Sequence, residues 1–490
     1  MKLSNIKNRY RSLPVQVRAS MWSLICGVLQ RGISVIVTPI FTRLMSTSEY
    51  GDFTTFSSWQ EILGIFLTLR LYYGVFMQGL VRYDDDQDEY TSSLIGLTTT
   101  LELAGLVLYL FATDFWNSLT GLSTAMTLCV FLVTWAHALF GFWQTRQRIV
   151  YRYRALVGLT LTMAIAQPAC GVAAVLLSPT HKATARVVSM AIVQLVCFGW
   201  LFIFYLRRGK RFYDRRHWLH ALKFNIPLVP HYLSQSLLHT SDRIMIRNMV
   251  SSAAAGIYGL SYSLSFLMNI VNQALLNTLN PWIYQQIKVG KVKELARVSY
   301  LALGGIAVAN LFVVALAPEA IAFFAPSDYA EGTWLVPPLA ATVVVTFMYA
   351  LFADFEFYYE RTDLVMWASV VGAVLNVGLN WVLIPRLGYQ AAAWTTLIGY
   401  VAYVGMHYAF MRKVQIEEME GVRVYDLRVL LGILGVFGLS ATILTLLYPF
   451  PIPRYLVVTM GLCVVIWKRH AIVSTFRELR KSRRMRDTKL

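Results

Sequence analysis

Apolar runs of about 20 residues recur from one end of the chain to the other, with short polar breaks between them. As an α-helix, a run of that length crosses a hydrocarbon core of about 30 Å. Fourteen runs are read, at residues 19–41, 53–81, 92–113, 121–143, 155–178, 187–206, 224–249, 256–284, 298–317, 334–358, 364–384, 390–411, 428–448 and 453–467. A β-barrel needs segments of about ten residues that alternate in polarity, and these runs are continuous. The pattern therefore predicts an all-α integral membrane protein of 14 transmembrane helices.

The polar breaks carry a repeat. TRLMSTSEYGDFTTFSS (residues 42–58) is echoed by TSDRIMIRNMVSSAAAGIYGLSYSLS (residues 240–265). Arg43-x-Met45 matches Arg247-x-Met249, and Tyr50-Gly51 matches Tyr258-Gly259 after a four-residue insertion. VLLSP (175–179) and WVLIP (381–385) close spans 5 and 11. Six spans separate the copies, and an even number returns the chain to the same side. The spans thus predict two parallel six-helix lobes, spans 1–6 and 7–12, around a central cavity, plus two C-terminal helices. The expected divisions are 1–206, a cytoplasmic linker at 207–223, 224–411, and 412–490 for helices 13 and 14 with a basic tail.

Composition fits that reading: 57% of the 490 residues are hydrophobic and 14% charged, with a net charge of +18. Of the 44 Lys and Arg, 35 fall on one set of alternating segments and seven on the other. The positive-inside rule then puts both termini in the cytoplasm. The basic tail RELRKSRRMRDTK (477–489) follows the last span, so it predicts an anchor on anionic lipid and no nucleic-acid partner. The first span is too long for a signal-peptide core. Five scattered cysteines without a CxxC predict neither disulfides nor a metal site.

DRIMIRNMVSSAAAGIYGLSYSLS (242–265) resembles the junction of the seventh and eighth helices in the bacterial polysaccharide transporter family. GAVLNVGLNWVLIPRLGYQAAAWTTLIGY (372–400), with its N-x-x-x-N, LIP and G-x-x-AAA elements, is similar to helices eleven and twelve of the wider multidrug/oligosaccharidyl-lipid/polysaccharide exporter superfamily, and EYGDF (49–53) fits as well. The resemblance covers spans 1–12. It implies a flippase that moves a polyprenyl-diphosphate-linked oligosaccharide, an O-antigen or exopolysaccharide repeat unit, to the periplasmic leaflet of a bacterial inner membrane. A polysaccharide polymerase and chain-length proteins are the implied protein partners, with membrane lipids around them. Cation-coupled multidrug exporters share the superfamily, and a glycan polymerase or ligase is a further alternative.

The polar positions inside spans give candidate chemistry. Arg31, Arg70 and Glu102 fall near the middle of spans 1, 2 and 3. Each central charge costs about 2.5–3.5 kcal/mol, so the three are expected to face one another or water. Ser20, Gly27, Arg31, Ser34, Thr38 and Thr42 fall on one face of span 1 and predict a water-lined wall. Tyr258, Tyr262, Ser265, Asn269, Asn272, Gln273 and Asn280 do the same for span 8. His231, Gln235 and Asp242 add to this on span 7, and Asn376 and Asn380 on span 11. Arg31 and Arg70 are assigned to a diphosphate, because a guanidinium stays charged and grips two oxygens at once. Arg43 and Arg247 are assigned to the periplasmic mouth, and the amide, ring and imidazole groups from Tyr262 to Asn380 and at His231 and Gln235 to a glycan.

Alternatives stand beside these assignments. Arg70 and Glu102 also suit a structural ion pair, Asp242 with Arg243 a helix-end cap, and the Asn stripes helix-to-helix glue. Asp354, Glu356 and Glu360, in the last turns of span 10, are expected to snorkel to the interface, and His407 to be interfacial and inert. His137 and Gln144 read as interhelical bonding. No P-loop, HExxH or Ser/His/Asp constellation appears, so no catalytic residue, metal or cofactor is assigned. The energy source is then an ion gradient, with Glu102 the first coupling candidate and Asp242 the second.

Overall fold

A computed structural model describes residues 15–150, 152–290 and 292–467, and the basic tail lies outside them. The regular elements among the described residues are all helical. In chain order the helices are α1 Val15–Leu44, α2 Thr47–Thr68, α3 Gly74–Arg82, α4 Gln87–Phe111, α5 Thr113–Thr120, α6 Thr124–Ile149 and α7 Tyr153–Leu177. Next come α8 Lys182–Phe198, α9 Trp200–Gly209, α10 Arg215–Asn225, α11 Val229–Met249, α12 Ser252–Ser265, α13 Asn269–Val289 and α14 Val292–Ala315. The chain ends with α15 Ala317–Phe324, α16 Val336–Tyr358, α17 Thr362–Leu387, α18 Ala391–Glu418, α19 Leu427–Leu446 and α20 Pro451–Trp467.

Local sequence explains several of the ends. Ser46 and Glu49 form a reciprocal capping box on α2, the Glu49 amide donating to Ser46 Oγ at 3.2 Å and the Ser46 amide to Glu49 Oε2 at 2.9 Å. Ser123 caps α6, Asp214 caps α10 and Asp426 caps α19. Phe111 and Leu177 stand 84% and 83% exposed, as expected of helices whose outer faces meet lipid.

Among the described residues ten helical stretches are long and apolar enough to cross a membrane, against the fourteen read from the sequence. The other four predicted spans fall on α2, α11, α18 and α20. Of the last, 17 residues lie within the described part of the chain. The first three carry polar groups along their length, such as Asp52 in α2, Asp242 in α11 and His407 in α18. Several predicted spans are also interrupted, span 6 at Gly199 and span 7 at the 3-10 turn Ile226–Leu228 among them. Span 2 breaks between α2 and α3, and span 8 breaks at a 3-10 turn, Phe266–Met268, so its polar positions do not keep one continuous face.

Packing divides the chain into two compact units, Met1–Gly256 and Ile257–Leu490. The linker helix α10 and the seventh-span helix α11 belong to the first unit. Asn225 donates to the Leu69 carbonyl at 2.7 Å and Trp218 to the Ser93 carbonyl at 2.9 Å. A Cβ on Gly51 would lie 1.7 Å from the Ser252 carbonyl oxygen, so α2 can approach this backbone only with glycine there. In the second unit α16 and α18 pack side by side and α17 lies against α18.

Candidate functional site

A cavity of about 330 Å³ opens within the first unit, lined by α1, α7 and α8 and by Phe53 of α2. Gln30, Ser34 and Thr38 supply its α1 wall and Gln167 its α7 wall. Ser34 and Thr38 belong to the predicted polar stripe, and the Thr38 hydroxyl donates to the Ser34 carbonyl at 2.9 Å. Arg31 lies on α1, and its side chain is outside the described residues.

The charged lining residue is Arg186, near the start of α8. Its guanidinium carbon sits 3.5 Å from the centre of the Phe41 ring and 3.4 Å from that of Phe53. Nη1 also contacts the Met45 sulfur at 3.8 Å. Ring faces this close shed water from the cation, with about 2 kcal/mol of attraction for such a contact. One turn earlier, Lys182 Nζ donates to the Leu44 carbonyl at 2.7 Å, and its amide donates to Glu49 Oε1 at 3.2 Å. The sequence reading left both cations in an outer loop, whereas they form the first turns of α8. Their four-residue spacing, one face of a helix, was the available signal.

Arg70 does not occupy the middle of a helix. At 22 residues, α2 is about 33 Å long by itself, and Arg70 stands in the break that follows. Leu69 and Arg70 both adopt left-handed backbone conformations, with φ of 46° and 48°. Such residues cost roughly 1–3 kcal/mol each and gather where surrounding structure imposes them. Here Asn225 holds the Leu69 carbonyl. The Arg70 guanidinium lies 5.2 Å from the centre of the Tyr232 ring, next to His231, and Tyr72 at the same break meets His137 edge-on at 5.9 Å. Arg70 and Glu102 form no ion pair, so that alternative falls away. Both Glu102 oxygens are buried without a hydrogen-bond donor, and the Thr134 hydroxyl beside it gives its proton to the Val130 carbonyl at 2.7 Å.

Arg43 is exposed, and its Nη1 donates to the Pro39 carbonyl at 3.1 Å. Its repeat counterpart Arg247 contacts Asp52 Oδ1 at 3.3 Å, an oxygen that also accepts from Ser252 Oγ at 2.7 Å. His231 and Gln235 are half-buried on α11. Asp242 is buried in the same helix, seven residues before its end at Met249, which rules out the end-cap reading.

In the second unit the predicted polar residues mostly bond to neighbouring helices. Asn272 donates to the Val343 carbonyl at 3.0 Å and to Asn269 Oδ1 at 3.3 Å. Asn376 and Asn380 are fully buried, and Thr395 of α18 donates to Asn380 Oδ1. Tyr262 stacks on Phe266 with ring centres 4.0 Å apart. Gln273 is exposed, and Asn280 is half-buried with Oδ1 shielded and unpaired. The expectations for His407, Glu356 and Asp354 are corrected. His407 and Glu356 are both 0% exposed, with Nδ1 at 2.8 and 3.0 Å from the two carboxylate oxygens, and Asp354 is buried too. Residues at a helix end can snorkel only when their face meets solvent, and here α16 turns that face onto α18.

The family model described as polysaccharide biosynthesis protein matches residues 17–286, more than half of the chain. The chain belongs to this family. A relative of the family member in Haemophilus influenzae, "Lsg locus putative protein 1", is 22% identical over 238 residues, 47% of this chain and 59% of that protein. An "Uncharacterized membrane protein" of the same organism is 20% identical over 247 residues, 49% of this chain and 60% of that one. The chain therefore spans about three fifths of the length of these curated relatives. Among solved structures, "Lipid II flippase MurJ, inward closed conformation" superposes with a TM-score of 0.63 at 14% identity, covering 92% of this chain and 99% of that one. An inward-facing multidrug resistance MATE family transporter of the MOP superfamily gives 0.61 at 11% identity, covering 79% and 95%. The chain thus shares the many-span helical fold of these two membrane transporters.

Proposed function

We propose that the protein flips a polyprenyl-diphosphate-linked oligosaccharide repeat unit, of O-antigen or exopolysaccharide, from the cytoplasmic to the periplasmic leaflet of a bacterial inner membrane. The mechanism is alternating access driven by an ion gradient, and no covalent bond changes. In this reading fourteen helices cross the membrane as two parallel six-helix lobes plus two, with both termini cytoplasmic. A polymerase and chain-length proteins then receive the flipped unit.

The observation that carries the proposal is the Arg186 cavity, in a member of a polysaccharide biosynthesis family. A ring-clad guanidinium beside two amides and two hydroxyls offers charge for phosphate and hydrogen bonds for sugar. A diphosphate carries about two negative charges, and a cation 4 Å away at an effective dielectric near 20 contributes about 4 kcal/mol toward moving each one. Arg186 joins Arg31 and Arg70 in that role, with Arg43 and Arg247 at the periplasmic mouth. Glycan contacts fall to His231, Gln235, Tyr262, Asn269, Asn272, Gln273, Asn280, Asn376 and Asn380, and ion coupling to Glu102 and Asp242. A drug exporter of the same fold would need a carboxylate facing cationic cargo, whereas the charge in this cavity is an arginine's.

Complementation of a flippase-deficient bacterium tests the proposal, reading surface polysaccharide by immunoblot against membrane protein level. Arg186→Ala removes polysaccharide at normal protein level, and Arg186→Lys keeps part of it, since charge remains but the two-oxygen grip is lost. Full polysaccharide from Arg186→Ala overturns the role given to this cavity.

A further inference from the structure

We propose that the second unit carries a proton-binding site of its own, the Glu356–His407 pair between α16 and α18, which accepts a proton on His407 Nε2 and couples it to transport. Binding of the proton stands by itself. Its coupling rests on the flippase reading above.

The two side chains are fully buried, and Nδ1 lies within hydrogen-bond distance of both carboxylate oxygens. With the carboxylate facing Nδ1, the neutral imidazole donates its Nδ1–H to Glu356, and Nε2 holds a lone pair. Nε2 is buried and has no hydrogen-bond partner. A purely structural bridge between α16 and α18 would be complete with Nδ1 alone. The open nitrogen is a base left without a donor in a site that excludes bulk water, where an unmet acceptor costs roughly 1–3 kcal/mol. The proton balance follows directly. Carboxylate and neutral imidazole together carry one negative charge. A proton taken from water onto Nε2 gives imidazolium and carboxylate, a pair without net charge. Losing the proton leaves a buried net charge behind.

The groups facing the pair are hydroxyls and carboxylates, and Asp354 is a second acceptor that the proton can reach. From α16 come Asp354, 2% exposed with a buried unpaired Oδ2, and Tyr349, whose ring centre is 5.3 Å from that of His407. From α18 comes Tyr403, edge-on to the imidazole at 4.5 Å. On α17, Ser369 bonds the Tyr403 hydroxyl at 3.3 Å, and Asp363 contributes a carboxylate at the start of the helix. Ser299 of α14 bonds the Tyr425 hydroxyl at 3.1 Å before α19, and Tyr284 lies on α13. Among the described residues no Lys or Arg pairs with Glu356 or Asp354; the nearby Arg361 is taken by Glu417 at 2.5 Å. That exposed pair lies just beyond the end of α16, and the Arg361 amide donates to the Glu356 carbonyl at 2.8 Å. The route from the site to water is therefore short, toward the end that the charge bias assigns to the cytoplasm.

The test uses the full-length protein in nanodiscs, with isotopically labelled histidine, under infrared difference spectroscopy over a pH titration. An imidazole-to-imidazolium band that responds to pH, disappears in His407→Gln and shifts in Glu356→Gln is the expected result. Should His407→Gln leave the full set of titrating histidine bands unchanged, the proton site is wrong. A second arm follows a fluorescent polyprenyl-diphosphate-linked disaccharide in proteoliposomes. His407→Gln should lose stimulation by an imposed pH gradient while equilibrative flipping continues. Undiminished stimulation overturns the coupling. Absence of flipping by the parent protein overturns the flippase reading instead and leaves the spectroscopic result standing.

Discussion

Glu102 on α4 and Glu356 on α16 are carboxylates taken out of water to similar degrees, 5% and 0% exposed, yet only one of them has a partner. Around Glu102 the hydroxyls look available and are not. Thr98, Thr99 and Thr100 donate to the carbonyls of Leu94, Ile95 and Gly96, and Thr134 to that of Val130. A helical threonine meets its own need by bonding back one turn, so polar composition near an acid does not supply it with donors. Glu356 instead receives an imidazole from a helix 51 residues away in sequence. The difference separates two kinds of buried acid. A bare one has no partner built into the fold, and a paired one bridges two helices and ties them together.

The largest predicted effect removes the partner. His407→Ala leaves Glu356 buried and alone, costing about 3–5 kcal/mol of stability in thermal unfolding of the purified protein. Adding Glu356→Gln should return most of it. If His407→Ala melts like the parent, the two acids are not different in kind. Glu102→Gln goes the other way. It should abolish gradient-driven flipping while stability stays within about 1 kcal/mol of the parent, because no pair is broken. A loss as large as that of His407→Ala would mean that Glu102 has a partner after all.

A third buried titratable group, outside the predicted spans, sharpens the comparison. His217, on linker helix α10, is 3% exposed and packs edge-on against Tyr83 and Tyr90 at 4.7 and 5.1 Å. Burial holds its imidazole below the ordinary histidine value of 6.5, although Asp214 pulls the other way. Below that pH the unfolded chain binds a proton that the folded linker does not. Its contribution to stability is therefore complete above about pH 6.5 and lost as pH falls. Unfolding measured across that window should show a falling acid limb, flattened in His217→Phe. The smallest effect concerns Arg70 and Glu102. The double variant Arg70→Ala/Glu102→Ala should equal the sum of the single variants within about 0.5 kcal/mol in stability. Mutual rescue would restore the ion pair that the geometry denies.

Much of the architecture was written along the chain. Apolar runs marked the helices, and Arg43 and Arg247 of the repeat each fall in the last turn of a long helix. EYGDF and DRIMIRNMVSSAAAGIYGL pointed to the family that the match over residues 17–286 bears out. These signals are local, since hydrophobic period and short motifs depend on neighbours within a few turns. Span counting was least secure where a helix is polar, as in α11 with Asp242 and α18 with His407, because hydropathy scores composition and cannot see that those groups are satisfied inside the protein.

Tertiary structure decided the rest. Nothing in TLRLYYG, free of proline, announces a break at Leu69 and Arg70. The left-handed turn is imposed where Asn225 clamps the Leu69 carbonyl, 156 residues away. Arg186 reads as a loop cation until Phe41 and Phe53 close on it. Glu356 and His407 each read as an interfacial residue until α16 and α18 lie side by side. The sequence by itself determined which segments are apolar enough to leave water, because transfer free energy is a property of each segment. Which buried polar groups find partners depends on which helix faces meet, and that was settled only by packing.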